Sequence, residues 1–112
     1  MVLQGEFYVL EIDYEDEDGS KERPVLVLIY EDNMCTIVPT TSQPPEDPPV
    51  KYFDKAKEPI YKWKEYGLDE MSYLKCANIK VYDSSALNNK KPIGIMDEDE
   101  FDRITEKICW YL

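Results

Sequence analysis

Histidine is absent from this chain of 112 residues. Its absence excludes catalytic triads, nucleases built on two histidines and most zinc sites, and it removes the commonest proton shuttle at neutral pH. Any acid–base chemistry must therefore use carboxylates, hydroxyls, lysine, tyrosine or arginine.

Positive charge is also scarce. The chain has 13 basic against 24 acidic residues and a formal charge of −11 at pH 7. This balance favours solubility and disfavours non-specific binding to nucleic acid or to an anionic membrane. Taken alone, it argues against an enzyme that acts on RNA.

Cysteine is sparse, and its three positions have no metal-ligand spacing: Cys35, Cys76 and Cys109. We expect them to be reduced, buried thiols, and we expect no metal and no other cofactor. Met1–Gln4 has no signal-peptide pattern, and no apolar run is long enough to span a bilayer. The expectation is a cytoplasmic protein without a membrane partner.

The chain length predicts one domain, residues 1–112. A domain of this size can bury a hydrophobic core, but the stability that the core provides is small. A dimer interface would therefore add to the stability of the fold. The composition, with 43% hydrophobic residues and nine tyrosines, is compatible with such an interface.

The most informative stretch predicts a β-hairpin. Val25–Tyr30 is a near-continuous run of aliphatic, β-branched and aromatic residues, so both faces of this strand should be buried. Glu31–Asn33 supplies turn-forming side chains, and Met34–Val38 resumes the extended pattern until Pro39 ends it.

The two open ends of this hairpin carry polar side chains. Arg23 precedes the first strand, and Thr40–Ser42 follows the second. Because antiparallel strands joined by a short turn bring their far ends together, one guanidinium and several hydroxyls should share an edge of the sheet.

The remaining elements are short. We predict strands at Glu6–Ile12, Val50–Phe53, Ser72–Val81 and Pro92–Met96, a helical turn at Ser84–Leu87, and a terminal helix that Asp97 and Glu100 begin as a capping box. Phe101, Ile104, Ile108 and Tyr111 share one helical face, and the other face, including Arg103, should be solvated. The predicted fold is mainly β (α+β): a small, strongly curved antiparallel sheet with a C-terminal helix.

Two segments remain open to more than one interpretation. The acidic stretch Glu11–Ser20 does not match an EF-hand, which favours a solvated loop over a calcium site. Lys51–Tyr66 interleaves five lysines with aromatic residues, a composition suited to phosphates and stacked bases. The alternative is a half-buried loop whose lysines merely balance nearby acids.

An ordered set of short motifs resembles the PemK/MazF toxins of bacterial type II toxin–antitoxin systems. These motifs run along nearly the whole chain: Gly5–Tyr8, Gly19–Ser20, Arg23–Val27, Ile37–Ser42, Tyr66–Leu68, Ser72–Cys76 and Ile93–Asp97. The resemblance implies an SH3-like barrel and a homodimer that is neutralised by an antitoxin. It further implies a sequence-specific, metal-independent endoribonuclease that cleaves single-stranded RNA through its 2′-hydroxyl.

The resemblance also implies roles for individual residues. Arg23 and Thr41 match the family's catalytic pair, while Lys75 and Lys80 match positions that are usually arginine. The expected substrate-binding residues are Ser42, Lys75, Asn78, Lys80, Lys62 and Lys64. Structural alternatives exist for the catalytic pair: an ion pair with the acidic loop for Arg23, and a turn-capping hydroxyl for Thr41.

One departure from the family pattern bears on activity. Ala77 stands where the PemK branch has an aspartate that is proposed to transfer protons. The rival hypothesis is therefore a catalytically silent SH3-like barrel that binds a protein partner or nucleic acid.

Overall fold

A computed structural model describes residues 2–13, 20–48 and 55–111. Most of the predicted acidic loop and the predicted strand Val50–Phe53 lie outside the described residues. No helix within the described ranges is long and apolar enough to cross a membrane.

The described residues form seven strands, a 3₁₀ helix and a C-terminal α-helix. Their bounds are β1 Glu6–Asp13, β2 Ser20–Glu31, β3 Met34–Thr41, β4 Lys57–Pro59, β5 Tyr73–Lys75, β6 Lys80–Asp83, the 3₁₀ helix Ser84–Leu87, β7 Gly94–Ile95 and α1 Glu98–Cys109. The strands pair antiparallel in the order β4-β5-β3-β2-β1-β7, and β6 also pairs with β3. The mainly antiparallel, curled half-barrel with a C-terminal helix confirms the predicted fold class.

The predicted hairpin is present as β2 and β3, with a tighter turn than expected. Asp32 and Asn33 form a two-residue turn with φ angles of 51° and 64°, a conformation that asparagine and aspartate tolerate well. The prediction that Pro39 ends the second strand is wrong, because β3 continues to Thr41. Pro39 lies where the outer neighbour of β3 changes from β6, which pairs as far as Ile37, to β5, which begins to pair at Thr40. A missing amide hydrogen disrupts the sheet least at such a gap.

The prediction of one continuous strand over Ser72–Val81 is wrong. The segment forms two strands, β5 and β6, that pair with opposite ends of β3. A turn separates them, in which the Asn78 amide donates to the Lys75 carbonyl at 2.9 Å. Leu74, Lys75 and Cys76 are all buried, so the predicted alternation of inward and outward side chains breaks at this turn.

Two apolar clusters cover the two faces of the sheet. The helix face is the side on which α1 packs, and its cluster includes Phe7, Leu26, Val38, Leu74, Ile104 and Ile108. The opposite face buries Tyr8, Leu10, Ile12, Val25, Val27, Cys35, Ile37 and Leu87. The strand β2 supplies both clusters, as its apolar run predicts, although Ile29 and Tyr30 remain 43% and 37% exposed.

The start of α1 is fixed by a buried polar network. Asp97 caps the helix by accepting from the Glu100 amide at 2.8 Å, which confirms the predicted N-cap. The Glu100 carboxylate does not return to the Asp97 amide as in a capping box. Instead the Tyr66 hydroxyl accepts from that amide at 3.3 Å and donates to Glu100 Oε1 at 2.7 Å.

Arg103 is part of the same network, and its predicted place on the solvated helix face is wrong. Its guanidinium contacts Glu58 Oε2 at 3.1 Å and Glu100 Oε2 at 3.3 Å, and it donates to the Pro59 carbonyl at 2.9 Å. Glu58 and Pro59 precede Arg103 by 45 and 44 residues, so helical periodicity cannot reveal these two partners. The network attaches β4 to the helix.

Tyr66→Phe should destabilise the fold by about 1–3 kcal/mol, because it removes the donor to a buried carboxylate. Tyr61→Phe is the matched control, since Tyr61 is 66% exposed and the same substitution should change the free energy of unfolding by less than ~0.5 kcal/mol. Urea unfolding of both variants measures the difference. Equal stabilities would contradict a stabilising role for the Tyr66 hydroxyl.

Candidate functional site

The predicted pair of Arg23 and Thr41 lies at the open end of the β2–β3 hairpin. Residue Val25 pairs with Pro39, and continuing this register by two residues sets Arg23 opposite Thr41. Arg23 also pairs with Leu10 of β1, which belongs to the opposite-face cluster. Since paired residues project to the same side of a sheet, Arg23 and Thr41 both lie on the opposite face.

The hydroxyls of the two adjacent threonines make different hydrogen bonds. Thr40 is 2% exposed, and its hydroxyl donates to the Pro24 carbonyl at 2.8 Å, joining β3 to β2. Thr41 is 8% exposed, and its hydroxyl oxygen accepts from the Gln43 amide at 3.2 Å. This contact is the turn-capping bond of the structural alternative, yet it leaves the Thr41 hydroxyl proton available to another acceptor. Ser42 follows and is exposed.

Lys75 is brought to this end of the sheet by β5. Thr41 pairs with Tyr73, and Lys75 lies two residues further along the strand, so its side chain projects to the same face. Lys75 is only 6% exposed. Lys80 of β6 pairs with Ile37 of β3 and therefore projects to the same face as Thr41. It lies further along the sheet from Thr41 than Lys75 does.

Asn78 lies in the turn between β5 and β6. Its side-chain oxygen is buried and, among the residues that the structure describes, meets no hydrogen-bond donor. An unsatisfied buried acceptor costs about 1–3 kcal/mol.

Lys62 and Lys64 lie elsewhere, around the start of α1. The Lys62 ammonium is ion-paired with Asp97, and this hydrogen bond raises the pKa of Lys62 and lowers that of Asp97. Lys64 lies 5.3 Å above the Trp63 ring. The structure therefore does not bring these two lysines together with Arg23 and Thr41, and the charge of Lys62 already has a partner.

A buried tyrosine on the opposite face was missed by the sequence analysis. Tyr8 is 2% exposed, and its hydroxyl donates to Glu6 Oε1 at 3.2 Å. Burial, reinforced by the charge of Glu6, raises the pKa of Tyr8 to about 12. The hydroxyl therefore stays protonated at neutral pH. The alternation of side chains along β1 could have predicted this position, because it puts Tyr8 on the face opposite to its neighbours Phe7 and Val9.

The cysteines form no site in the described part of the chain. Cys35 and Cys76 are buried as predicted, and burial raises the pKa of Cys76 to about 12. The prediction is wrong for Cys109, which is exposed at the end of α1. Within residues 2–13, 20–48 and 55–111, no three cysteines or carboxylates lie close enough to hold a metal ion.

The opposite face thus combines a permanently charged planar fork at Arg23, a hydroxyl at Thr41 and an ammonium at Lys75. A guanidinium recognises phosphate oxygens in a bidentate manner, and an ammonium attracts them as a point charge. This set of groups suits a phosphodiester whose negative charge increases during a reaction.

Residues 3–112 match the family model described as "PemK-like, MazF-like toxin of type II toxin-antitoxin system". The curated proteins contain no match.

Several solved structures share the fold. The Mycobacterium tuberculosis toxin MazF-mt6 has a TM-score of 0.65 at 20% identity, over 95% of this chain and 94% of that one. An endoribonuclease in complex with its cognate antitoxin, from a mycobacterial species, has a TM-score of 0.65 at 13% identity, over 98% and 91%. A MazE-MazF structure from Deinococcus radiodurans has a TM-score of 0.61 at 14% identity, over 93% and 88%. At these identities the likeness shows the fold.

Thr40→Val should lower the free energy of unfolding by about 1 kcal/mol, because the Pro24 carbonyl loses its donor in a buried place. Thr41→Val should change it by less than ~0.5 kcal/mol, since the Gln43 amide lies in an exposed segment that water can reach. Both substitutions conserve the shape of the side chain. Denaturant unfolding therefore compares the contributions of the two hydroxyls to the free energy of unfolding. A larger loss for Thr41→Val would make Thr41 a structural residue.

Proposed function

The chain belongs to the PemK-like, MazF-like family of type II toxin–antitoxin toxins, and from that premise we propose that it is an endoribonuclease. Its substrate is single-stranded RNA, cleaved at specific sequences without a metal ion. The observation that carries this proposal is the placement of Arg23 and Thr41 on one face and at one end of the hairpin.

Cleavage by internal transesterification has three chemical requirements. The 2′-oxygen must lose its proton, the dianionic phosphorane must be stabilised, and the leaving 5′-oxygen must gain a proton. Arg23 stabilises the phosphorane through two parallel hydrogen bonds and stays charged at any working pH. Thr41 positions the attacking hydroxyl or a phosphate oxygen through the proton that its contact with Gln43 leaves free.

The substrate contacts follow from the same face. Lys75 and Lys80 hold phosphates, Ser42 offers an exposed hydroxyl, and the unsatisfied oxygen of Asn78 accepts from a base or a ribose hydroxyl. Lys62 and Lys64 lie around the start of α1, so their contribution to RNA binding remains a prediction that salt titration tests.

The proposal includes a cytoplasmic homodimer and an antitoxin partner. Two of the similar structures described above are, by their names, complexes of a toxin or endoribonuclease with its antitoxin. Family membership extends that expectation to this chain.

A catalytically silent binding module is the second candidate, and Ala77 is the observation that favours it. The side chain at this position carries no proton donor or acceptor, and it lies in the turn directly after Lys75 and Cys76. A silent module would retain RNA binding on the opposite face but would release no products.

Incubation of the purified protein with a long RNA in EDTA tests the proposal. We expect cleavage to persist, with a 2′,3′-cyclic phosphate on one product and a 5′-hydroxyl on the other, because the reaction uses the 2′-hydroxyl as nucleophile. End mapping and phosphatase sensitivity identify the termini. Cleavage that strictly required magnesium would overturn the metal-independent mechanism, and absence of cleavage would favour the silent module.

Arg23→Ala should lower the cleavage rate by ~10²-fold or more, as removal of a preorganised transition-state donor does. Arg23→Lys should also lose most of the rate, since lysine keeps the charge but not the planar fork. Lys90→Ala is the control, because it removes an exposed cation of a surface loop and should leave the rate unchanged.

Thermal unfolding of both Arg23 variants separates catalysis from folding. An arginine that only forms a surface ion pair contributes about 0–1 kcal/mol, and its loss would leave the rate near normal. Near-normal cleavage by both variants would remove Arg23 from the mechanism.

A further inference from the structure

We propose that the helix face carries a docking strip for a positively charged amphipathic helix of a partner protein. The strip consists of an apolar groove of about 360 Å³ between α1 and the sheet, together with the exposed side chains of Ile29, Met34 and Val81 beside it. Arg23 and Thr41 lie on the opposite face, so the strip goes beyond the proposed nuclease and does not depend on it.

The walls of the groove are mainly apolar. Among the described residues that line it, no side chain carries a charge. The principal contributions are Leu28, Ile29 and Ile79 from the sheet side and Phe101, Thr105 and Cys109 from α1. A groove of this kind takes up the apolar face of a ligand and gives a charged group no counterpart inside it.

The outer wall of the groove on α1 is acidic. Phe101, Thr105 and Cys109 are four residues apart and form one ridge of the helix, which lines the groove. The inner neighbouring ridge, with Ile104 and Ile108, is buried in the core. The outer neighbouring ridge consists of three exposed acidic residues, also four apart: Glu98, Asp102 and Glu106.

These three carboxylates have no ion-pair partner among the residues that the structure describes. Like charges four residues apart on a helix repel one another and lower its stability. Cationic side chains placed along this ridge would convert the repulsion into favourable contacts.

The sheet side of the strip repeats this arrangement. Thr36 lines the groove and pairs with Ile29 on one side and with Val81 on the other, which are 43% and 57% exposed. Met34 lies two residues from Thr36, projects to the same face and is 42% exposed. Its own partner in β2 is Glu31, which is exposed. The apolar strip therefore has carboxylates along both of its sides.

The charges around the strip select its occupant. Nucleic acid is unsuitable, because its phosphates would meet the carboxylates of Asp102, Glu106 and Glu31. A second copy of this chain is also unsuitable, since a two-fold contact would set these carboxylates against their own copies. A helix with large apolar side chains along one stripe and lysine or arginine on its flanks matches both the groove and its sides.

The length of the groove fits a short helical segment. From Phe101 to Cys109 the rise of α1 is about 12 Å, or two turns, at 1.5 Å per residue. A partner helix that lies along α1 would therefore place apolar side chains at i, i+3, i+4 and i+7 in the groove.

A synthetic helical peptide of about 14 residues, with leucine at i, i+3, i+4 and i+7 and lysine elsewhere, is the probe. Fluorescence anisotropy measures its binding at low and high salt. Asp102→Asn combined with Glu106→Gln should weaken binding several-fold and reduce its salt dependence, because two charges at the contact are lost. Asp69→Asn combined with Glu70→Gln is the matched control, since it removes two exposed carboxylates outside the strip and should leave the affinity near that of the wild type.

A second pair of variants tests the apolar wall. Ile29→Lys should weaken binding by ~10-fold or more, because it removes an apolar contact and adds a charge like that of the peptide. Met71→Lys adds the same charge outside the strip, at a residue that is 44% exposed against 43% for Ile29, and should change the affinity little. All four variants change exposed side chains, and thermal unfolding verifies that each is folded.

Three results of the binding experiment would overturn the strip: no binding of the peptide by the wild type, equal binding of a scrambled peptide of the same composition, or equal losses in the two acid variants. Light scattering distinguishes the remaining occupant. A wild-type dimer that became a monomer in Ile29→Lys would assign the strip to a second copy of this chain and overturn the cationic partner.

Discussion

The register between β2 and β3 is the constraint on which the candidate site depends. It is set at one end by the two-residue turn at Asp32 and Asn33, and it shifts by one residue at the bulge between Val27 and Ile29. Below that bulge, the ladder ends with Val25 paired to Pro39, and Arg23 and Thr41 each lie two residues beyond this pair. A slip of one residue would send either side chain to the helix face, because side chains alternate along a strand. The bulge and the turn are therefore as much part of the candidate site as Arg23 and Thr41 themselves.

The distribution of cations bears on how a chain with a charge of −11 could bind the proposed RNA substrate. Two cations form ion pairs within the fold: Arg103 pairs with Glu58 and Glu100, and Lys62 pairs with Asp97. The opposite face carries Arg23 from β2, Lys75 from β5 and Lys80 from β6. Net charge governs long-range steering and solubility, whereas the phosphate contacts depend on this local set. The acidic composition thus argues against non-specific binding more than against binding at this face.

Sequence patterns predict the elements whose side chains repeat regularly. The hairpin follows from an apolar run with turn residues, and α1 follows from its N-cap and from the spacing of Ile104 and Ile108. The break between β5 and β6 escapes prediction because Leu74, Lys75 and Cys76 are buried in succession, which no period-two pattern contains. That Arg23 and Thr41 lie at the same end of the hairpin is predictable from its short turn, whereas their common face also depends on the bulge between Val27 and Ile29, which the sequence pattern does not reveal.

Contacts between segments far apart along the chain explain the rest of what the sequence analysis missed. Lys62 has its partner 35 residues away, and Arg103 reaches back 45 residues to Glu58, so neither contact leaves a local trace.

The attachment of β4 to α1 has a consequence for the order in which the protein is made. On the helix side, the three-residue strand β4 is held by the guanidinium of Arg103. A ribosome synthesises α1 after every strand, so a nascent chain lacks this support until the helix has emerged and docked. The helix-side contacts of β4 therefore form only after α1 has been made and has docked, and a partner that captured the emerging helix would act before those contacts exist.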